Sequence, residues 1–171
     1  MQKKKKEIKY SLTSKSEMHG WSCKLPENQL LNLLKNVGLS PDAEDCSIVA
    51  ITPEQFLITN IDIFTAIHDD PYLMGKIAAC NVTNDIYALN AINITNYSNF
   101  MGLPTDIPLK YPELMLQGVQ DFLNQVNAKI EGGHTIYNPW PLFGGSASSI
   151  IPKNQLIRKR GIKAGDKIIL T

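Results

Sequence analysis

The sequence predicts an α/β fold of the two-layer, α+β kind: a mixed β-sheet with helices packed on it. Three observations carry this expectation. Short apolar, β-branched runs alternate with longer segments of helical period. Prolines stand where helices would begin, at Pro26, Pro71 and Pro112. The chain has 171 residues, 43% hydrophobic and 19% charged, which suits one domain with a buried core, and it shows no internal repeat or low-complexity linker.

Taken in order, residues 1 to 25 read as an irregular, flexible arm in which Lys3 to Lys6 form a solvated basic tail. A domain then runs from 26 to 171. Pro26 opens a helix whose Leu30, Leu31, Leu33, Leu34 and Val37 recur at helical spacing, and Gly38 is placed to stop it. Cys46 to Ile51 and Phe56 to Ile61, separated by Thr52-Pro53-Glu54-Gln55, read as a hairpin of strands. Asp70-Pro71 supplies a cap and a first-turn proline for a long helix through Leu89, with Leu73, Met74, Ile77, Val82 and Ile86 along one stripe. Ala91 to Met101 is strand-like, and Pro112 starts a helix reaching about Ala128. Phe143 to Ile151 is a strand of small residues, and Lys167 to Leu170 begins a last one. The order is thus β-β-α-β-α-β-β after the arm and first helix. Because the chain stops on apolar residues of a strand, it reads as cut at a domain boundary.

Bulk properties exclude several functions. A net charge of +1 gives no reason for a nucleic-acid or membrane-surface partner. No apolar stretch approaches the roughly 20 residues of a membrane span, and no apolar region follows the N-terminal lysines as in a secretory signal. Three cysteines, Cys23, Cys46 and Cys80, without CxxC spacing argue against a disulfide framework or zinc site and for a reducing, cytoplasmic setting. Cys46 and Cys80 read as small buried hydrophobes, and Trp140 as a core or interface anchor.

The chemistry lies in separated segments. Gly132-Gly133 lets the backbone approach a bulky anion, and His134 and Thr135 follow at once. Asn81 and Asp85, four apart, share one helix face, and oxygen-rich groups at that spacing suit magnesium. Ala78, Ala79, Val82 and Ile86 surround Asp85 with apolar groups, so an ionised carboxylate there wants a partner. Asp45 at the mouth of one strand and Asp62 at the end of the next are able to converge on the same volume. Lys24 follows Gly20-Trp21-Ser22-Cys23 on a small-residue arm and reads either as an ordinary surface lysine or as a point charge that closes over phosphates.

These segments, in this order, resemble the selenophosphate synthetase (selenide, water dikinase) family. The resemblance rests on Gly20-Trp-Ser-Cys23-Lys24, Asp45-Cys-Ser-Ile, Asn60-Ile-Asp62, Asp69-Asp-Pro-Tyr-Leu-Met-Gly75-Lys-Ile-Ala, Asn81-Val-Thr-Asn-Asp85-Ile-Tyr-Ala and Gly132-Gly-His-Thr-Ile-Tyr-Asn-Pro-Trp140. It covers roughly residues 12 to 171, and its Asn-x-x-x-Asp helix is shared with the wider aminoimidazole-ribonucleotide-synthetase-like superfamily. The resemblance implies an N-terminal domain of that superfamily, with helices on one face of the sheet. By the same resemblance a second, C-terminal domain is expected to be missing from this chain, which reads as a fragment. The resemblance further implies a homodimer pairing through its sheets, magnesium as cofactor, and conversion of ATP, selenide and water to selenophosphate, AMP and phosphate. Carried over by motif, Asp45 and Asp85 are metal ligands, and Lys24 is the catalytic lysine. Glu44, Asp62, Asn81, Asp85 and the segment Gly132, Gly133, His134 and Thr135 are ATP contacts.

One departure matters within the arm. Where the family has a reactive cysteine or selenocysteine, two residues before Cys23, this chain has Trp21, which is no nucleophile. The alternative is therefore an inactive nucleotide-binding or dimerisation module. A related enzyme acting on a purine precursor or thiamine phosphate is a third reading, against which the Cys23-Lys24 arm and Asn138-Pro139-Trp140 argue.

Overall fold

A computed structural model describes residues 10–39 and 44–170, and the lysine tail and Thr171 lie outside them. Helix α1 is Glu27–Asn36; strands β1 and β2 are Ser47–Ala50 and Gln55–Thr65; helix α2 is Pro71–Ala88; strand β3 is Ile94–Leu103; helix α3 is Lys110–Gln125; strands β4 and β5 are Gly132–Tyr137 and Leu142–Pro152. The five strands form one sheet in the order β1-β2-β5-β3-β4. All neighbours are antiparallel except β3 and β4, so the sheet is mixed, as the alternation predicts.

Strand β2 shows why one face is covered. Ile58, Asn60, Asp62 and Phe64 alternate onto the buried face, whereas Ile61 points away and is 70% exposed. Helix α2 lies over the buried face. Its Ala79, Val82 and Ile86 join Ile58, Tyr97 and Ala147 in one core, and Met74 and Ala78 join Phe64 and Met101 in a second. Asp70 caps α2 by accepting from the Tyr72 and Leu73 amides, and Pro71 opens its first turn. Helix α3 reaches α2 through two glycines. A Cβ on Gly75 would stand 2.0 Å from the Met115 carbonyl oxygen, and one on Gly118 would stand 2.0 Å from that of Tyr72. The helices therefore cross backbone against backbone.

Three expectations are corrected. The last strand is not Lys167 to Leu170: that stretch forms no strand, and Ile168, Ile169 and Leu170 are 95%, 81% and 98% exposed. Apolar residues alone do not make a strand without a sheet edge to pair with. Gly132 to Tyr137, which the expected order leaves without an element, is a strand, and at Gly133 the missing Cβ lets β4 approach β3, since that atom would fall 2.5 Å from the Asn99 carbonyl oxygen. Cys80 is half-buried rather than a core residue, although Cys46 is buried as expected. Helix α1 forms where its periodicity predicts, but none of its residues is buried.

From Tyr10 onward, the arm is packed onto the domain. Leu12 is fully buried, and Asp69 accepts from the Thr13 amide at 2.8 Å and from the Ser11 and Thr13 hydroxyls. Farther on, Gly20 pairs with Thr65 as an isolated antiparallel bridge, and the Thr65 hydroxyl donates to the Met18 carbonyl at 2.7 Å.

Candidate functional site

Asp62 is the centre of the arrangement. It sits inside β2 rather than at its end, because the strand continues to Thr65, and only 6% of its side chain is exposed. A buried carboxylate needs partners. Lys24, carried on the short turn Trp21–Cys23, places Nζ 2.5 Å from Asp62 Oδ1. That oxygen has no well-directed hydrogen bond beyond this ionic contact. Asn81 of α2 donates its amide to the other oxygen, Oδ2. Trp21 Nε1 donates in turn to Asn81 Oδ1 at 3.2 Å.

One turn along α2 from Asn81, Asp85 feels the same charges. Burial pushes its carboxyl above the usual carboxylate range, and Asp62 and Asp45 add to the rise; the Lys24 ammonium and the neighbouring Asn60 amide oppose it. Asp85 also lines a cavity of about 150 Å³ with Glu44, Asp45, Cys46, Arg158 and Lys159. Burial, aided by Asp85, Asp45 and Glu44 in that order, pushes the Cys46 thiol up to about 12. Cys46 is therefore an unreactive thiol.

The sequence did not single out three contributors. Asn60 steadies Asp85 while donating to the Val82 carbonyl at 3.0 Å. Its signal was available in the alternation Ile58, Asn60, Asp62, Phe64. Arg158 and Lys159, after β5, cover the cavity: Arg158 Nη1 stands 3.5 Å from Glu44 Oε1, and Lys159 Nζ stands 3.8 Å from Asp45 Oδ2. No motif marks them.

The glycine segment is not in this cavity. Asp62, Gly145, Asn99 and Gly133 occupy one cross-sheet row over β2, β5, β3 and β4. Three strand spacings, roughly 14 Å, thus separate Gly133 from Asp62. His134 lies on the open face, its ring 6.5 Å from that of Phe100, and Thr135 lines a groove with Leu103, Ile107 and Tyr137. The structure thus gathers Lys24, Asp62, Asn81 and Asp85, sets Glu44 and Asp45 in the adjoining cavity, and leaves Gly132, Gly133, His134 and Thr135 at the sheet edge.

Among the described residues, no group of three or more His, Cys, Asp or Glu side chains stands together as a metal site. Magnesium asks for less: one or two carboxylates and the phosphates of its substrate. Asp45 and Asp85, which line the same cavity, fit that requirement in donor chemistry.

Comparison with known proteins gives this geometry a context. Residues 43–151 match the family model "AIR synthase related protein, N-terminal domain". The chain is 42% identical over 161 residues to a selenide, water dikinase of Methanococcus maripaludis, covering 90% of this chain and 48% of the relative. It is 40% identical over 172 residues to that of Methanocaldococcus jannaschii (95% and 49%), and 35% identical over 173 residues to that of Dictyostelium discoideum (98% and 47%). The chain spans about half the length of the curated relatives it matches. Among solved structures, AaThiL complexed with AMPPCP and TMP superposes with a TM-score of 0.66 at 20% identity, over 85% of this chain and 49% of that one. T. maritima PurL complexed with AMPPCP gives 0.63 at 12% identity, over 81% and 26%. At these identities the structural likeness speaks to the fold alone.

Proposed function

Because the chain belongs to the AIR synthase related protein family through its N-terminal domain, we propose that it is the nucleotide-binding half of a selenide, water dikinase. In this reading ATP, selenide and water yield selenophosphate, AMP and phosphate. The observation that carries it is the joining of Lys24, Asp62, Asn81 and Asp85, from three separate motifs, around one buried carboxylate. Names shared by relatives up to 42% identical support the reaction class.

Asp45 and Asp85 would hold magnesium, which would neutralise charge on the phosphate oxygens. Lys24 is the mobile cation. Its ammonium leaves Asp62 for a phosphate oxygen and stabilises charge that develops there. Asn81 keeps Asp62 engaged meanwhile, so the buried carboxylate is never left bare. Glu44 holds the Arg158-Lys159 segment at the cavity mouth. Gly132, Gly133, His134 and Thr135 remain ATP contacts in this proposal, reached from the sheet edge. A homodimer formed through the open sheet face is supported by Ile61 and Ile150, 70% and 42% exposed on it. No described helix is long and apolar enough to cross a membrane, and the three cysteines are free thiols, which supports a reducing, cytoplasmic setting.

Trp21 favours a second reading, an inactive nucleotide-binding or dimerisation module. The indole stacks on Phe64 with ring centroids 5.0 Å apart and an interplanar angle of 11°. It brings no nucleophile to its position. Phosphorus-31 spectra of the protein with Mg·ATP and selenide separate the two: selenide-dependent AMP and selenophosphate are expected. Their absence from wild type, with appearance in Trp21→Cys, would overturn the dikinase reading in favour of the module.

A further inference from the structure

We infer that Trp21 is a positioning residue for Lys24, an indole clamp that holds the arm in register over Asp62. Two independent contacts fix the ring. Its face stacks on Phe64, which follows Asp62 by two residues and therefore projects from the same face of β2. Its Nε1 donates to Asn81 Oδ1 on α2. That bond decides which way the Asn81 amide points: with the carbonyl occupied by the indole, the NH₂ group is turned to Asp62 Oδ2. Lys24, one 3₁₀ turn after Trp21, then meets the remaining oxygen of the same carboxylate. The contacts close a ring, Trp21 to Asn81 to Asp62 to Lys24 and back through the turn. Gly20 allows the entry: its φ is +59°, and a Cβ there would stand 2.5 Å from Ile67 Cγ2.

The clamp explains how a lysine 48% exposed is kept at one carboxylate rather than swinging in solvent. The bearing on phosphate chemistry rests on the dikinase reading, but the clamp itself does not. It is tested without nucleotide or metal, so failure of one leaves the other intact.

The experiment is pulsed acetylation with an N-hydroxysuccinimide ester, read site by site by peptide mass spectrometry. Lys110 and Lys129, each 69% exposed and outside the arm, serve as internal standards. Trp21→Phe keeps an aromatic ring for Phe64 and removes the N–H. Asn81→Ala keeps the indole and removes both its acceptor and the amide that donates to Asp62 Oδ2. Both are expected to raise Lys24 labelling about fivefold over the standards, the factor one neutral hydrogen bond is worth, and the double variant is expected to add little more. Lys24 labelling unchanged in Trp21→Phe would overturn the inference. So would a parallel rise at all three lysines, which is general loosening, or a rise in Asn81→Ala alone.

Discussion

Lys24 and Asp62, 38 positions apart, make the one ion pair in which a described carboxylate of the buried sheet face meets an arm residue: Nζ stands 2.5 Å from an oxygen of a side chain only 6% exposed. The asymmetry sets the energetics. The lysine can return to water, but the carboxylate cannot. Lys24→Ala is therefore expected to cost about 1–3 kcal/mol, because it strands a buried charge with only Asn81 as partner. Asp62→Asn removes the charge itself and is expected to cost less. Urea denaturation of the two variants at neutral pH checks the order; a larger loss in Asp62→Asn would contradict it.

Asp85 carries a pH signature of opposite sign to an ordinary surface carboxylate. Burial, then Asp62 and Asp45, raise its folded-state pKa. A raised value means the folded protein holds the proton more tightly than the unfolded chain, which titrates near 3.9. The stabilising contribution is thus present in full below that value and lost as pH rises through the folded one. At pH 7 and without metal, Asp85→Asn is expected to be more stable than wild type, and the gain is expected to vanish by about pH 3. Thermal melts at both pH values test this. A variant less stable at pH 7 would show that Asp85 is a structural group.

The α2–α3 crossing makes a prediction away from the site. Gly118→Ala would set a methyl 2.0 Å from the Tyr72 carbonyl oxygen and 3.1 Å from the Lys76 amide nitrogen, both backbone atoms that cannot move aside. About 1–3 kcal/mol of destabilisation is expected, read as a fall in Tm of roughly 2–4 °C per kcal/mol for a chain of this size. An unchanged Tm would mean that the helices can separate freely.

Much of this was legible before any coordinates. The Asp70-Pro71 start, the Asn81–Asp85 spacing and the alternation in β2 fix α2 over the carboxylate, because helical and strand periods dictate which side chains share a face. Strand β4 was not legible. All six of its residues are exposed, so it carries no alternation, and its glycine pair reads as room for an anion until β3 is seen to need the close approach. Lys167 to Leu170 failed the other way: β-branched and apolar, it reads as a strand, yet it finds no partner among the described residues. The site divided along the same line. Motifs on β2 and α2 came together, whereas Gly133 lies three strands away from Asp62. Trp21 was read as a lost nucleophile, and its bond to Asn81 depends on how the arm folds back, which no local pattern encodes.

Isothermal titration with Mg·ATP, comparing wild type with Asp85→Ala, tests the central claim most directly. Saturable heat from wild type and its loss in the variant, with the fold intact by circular dichroism, is the expected result. Identical heats from both would contradict the account, since phosphate and metal would then be binding somewhere other than beside Asp62, Asn81 and Lys24.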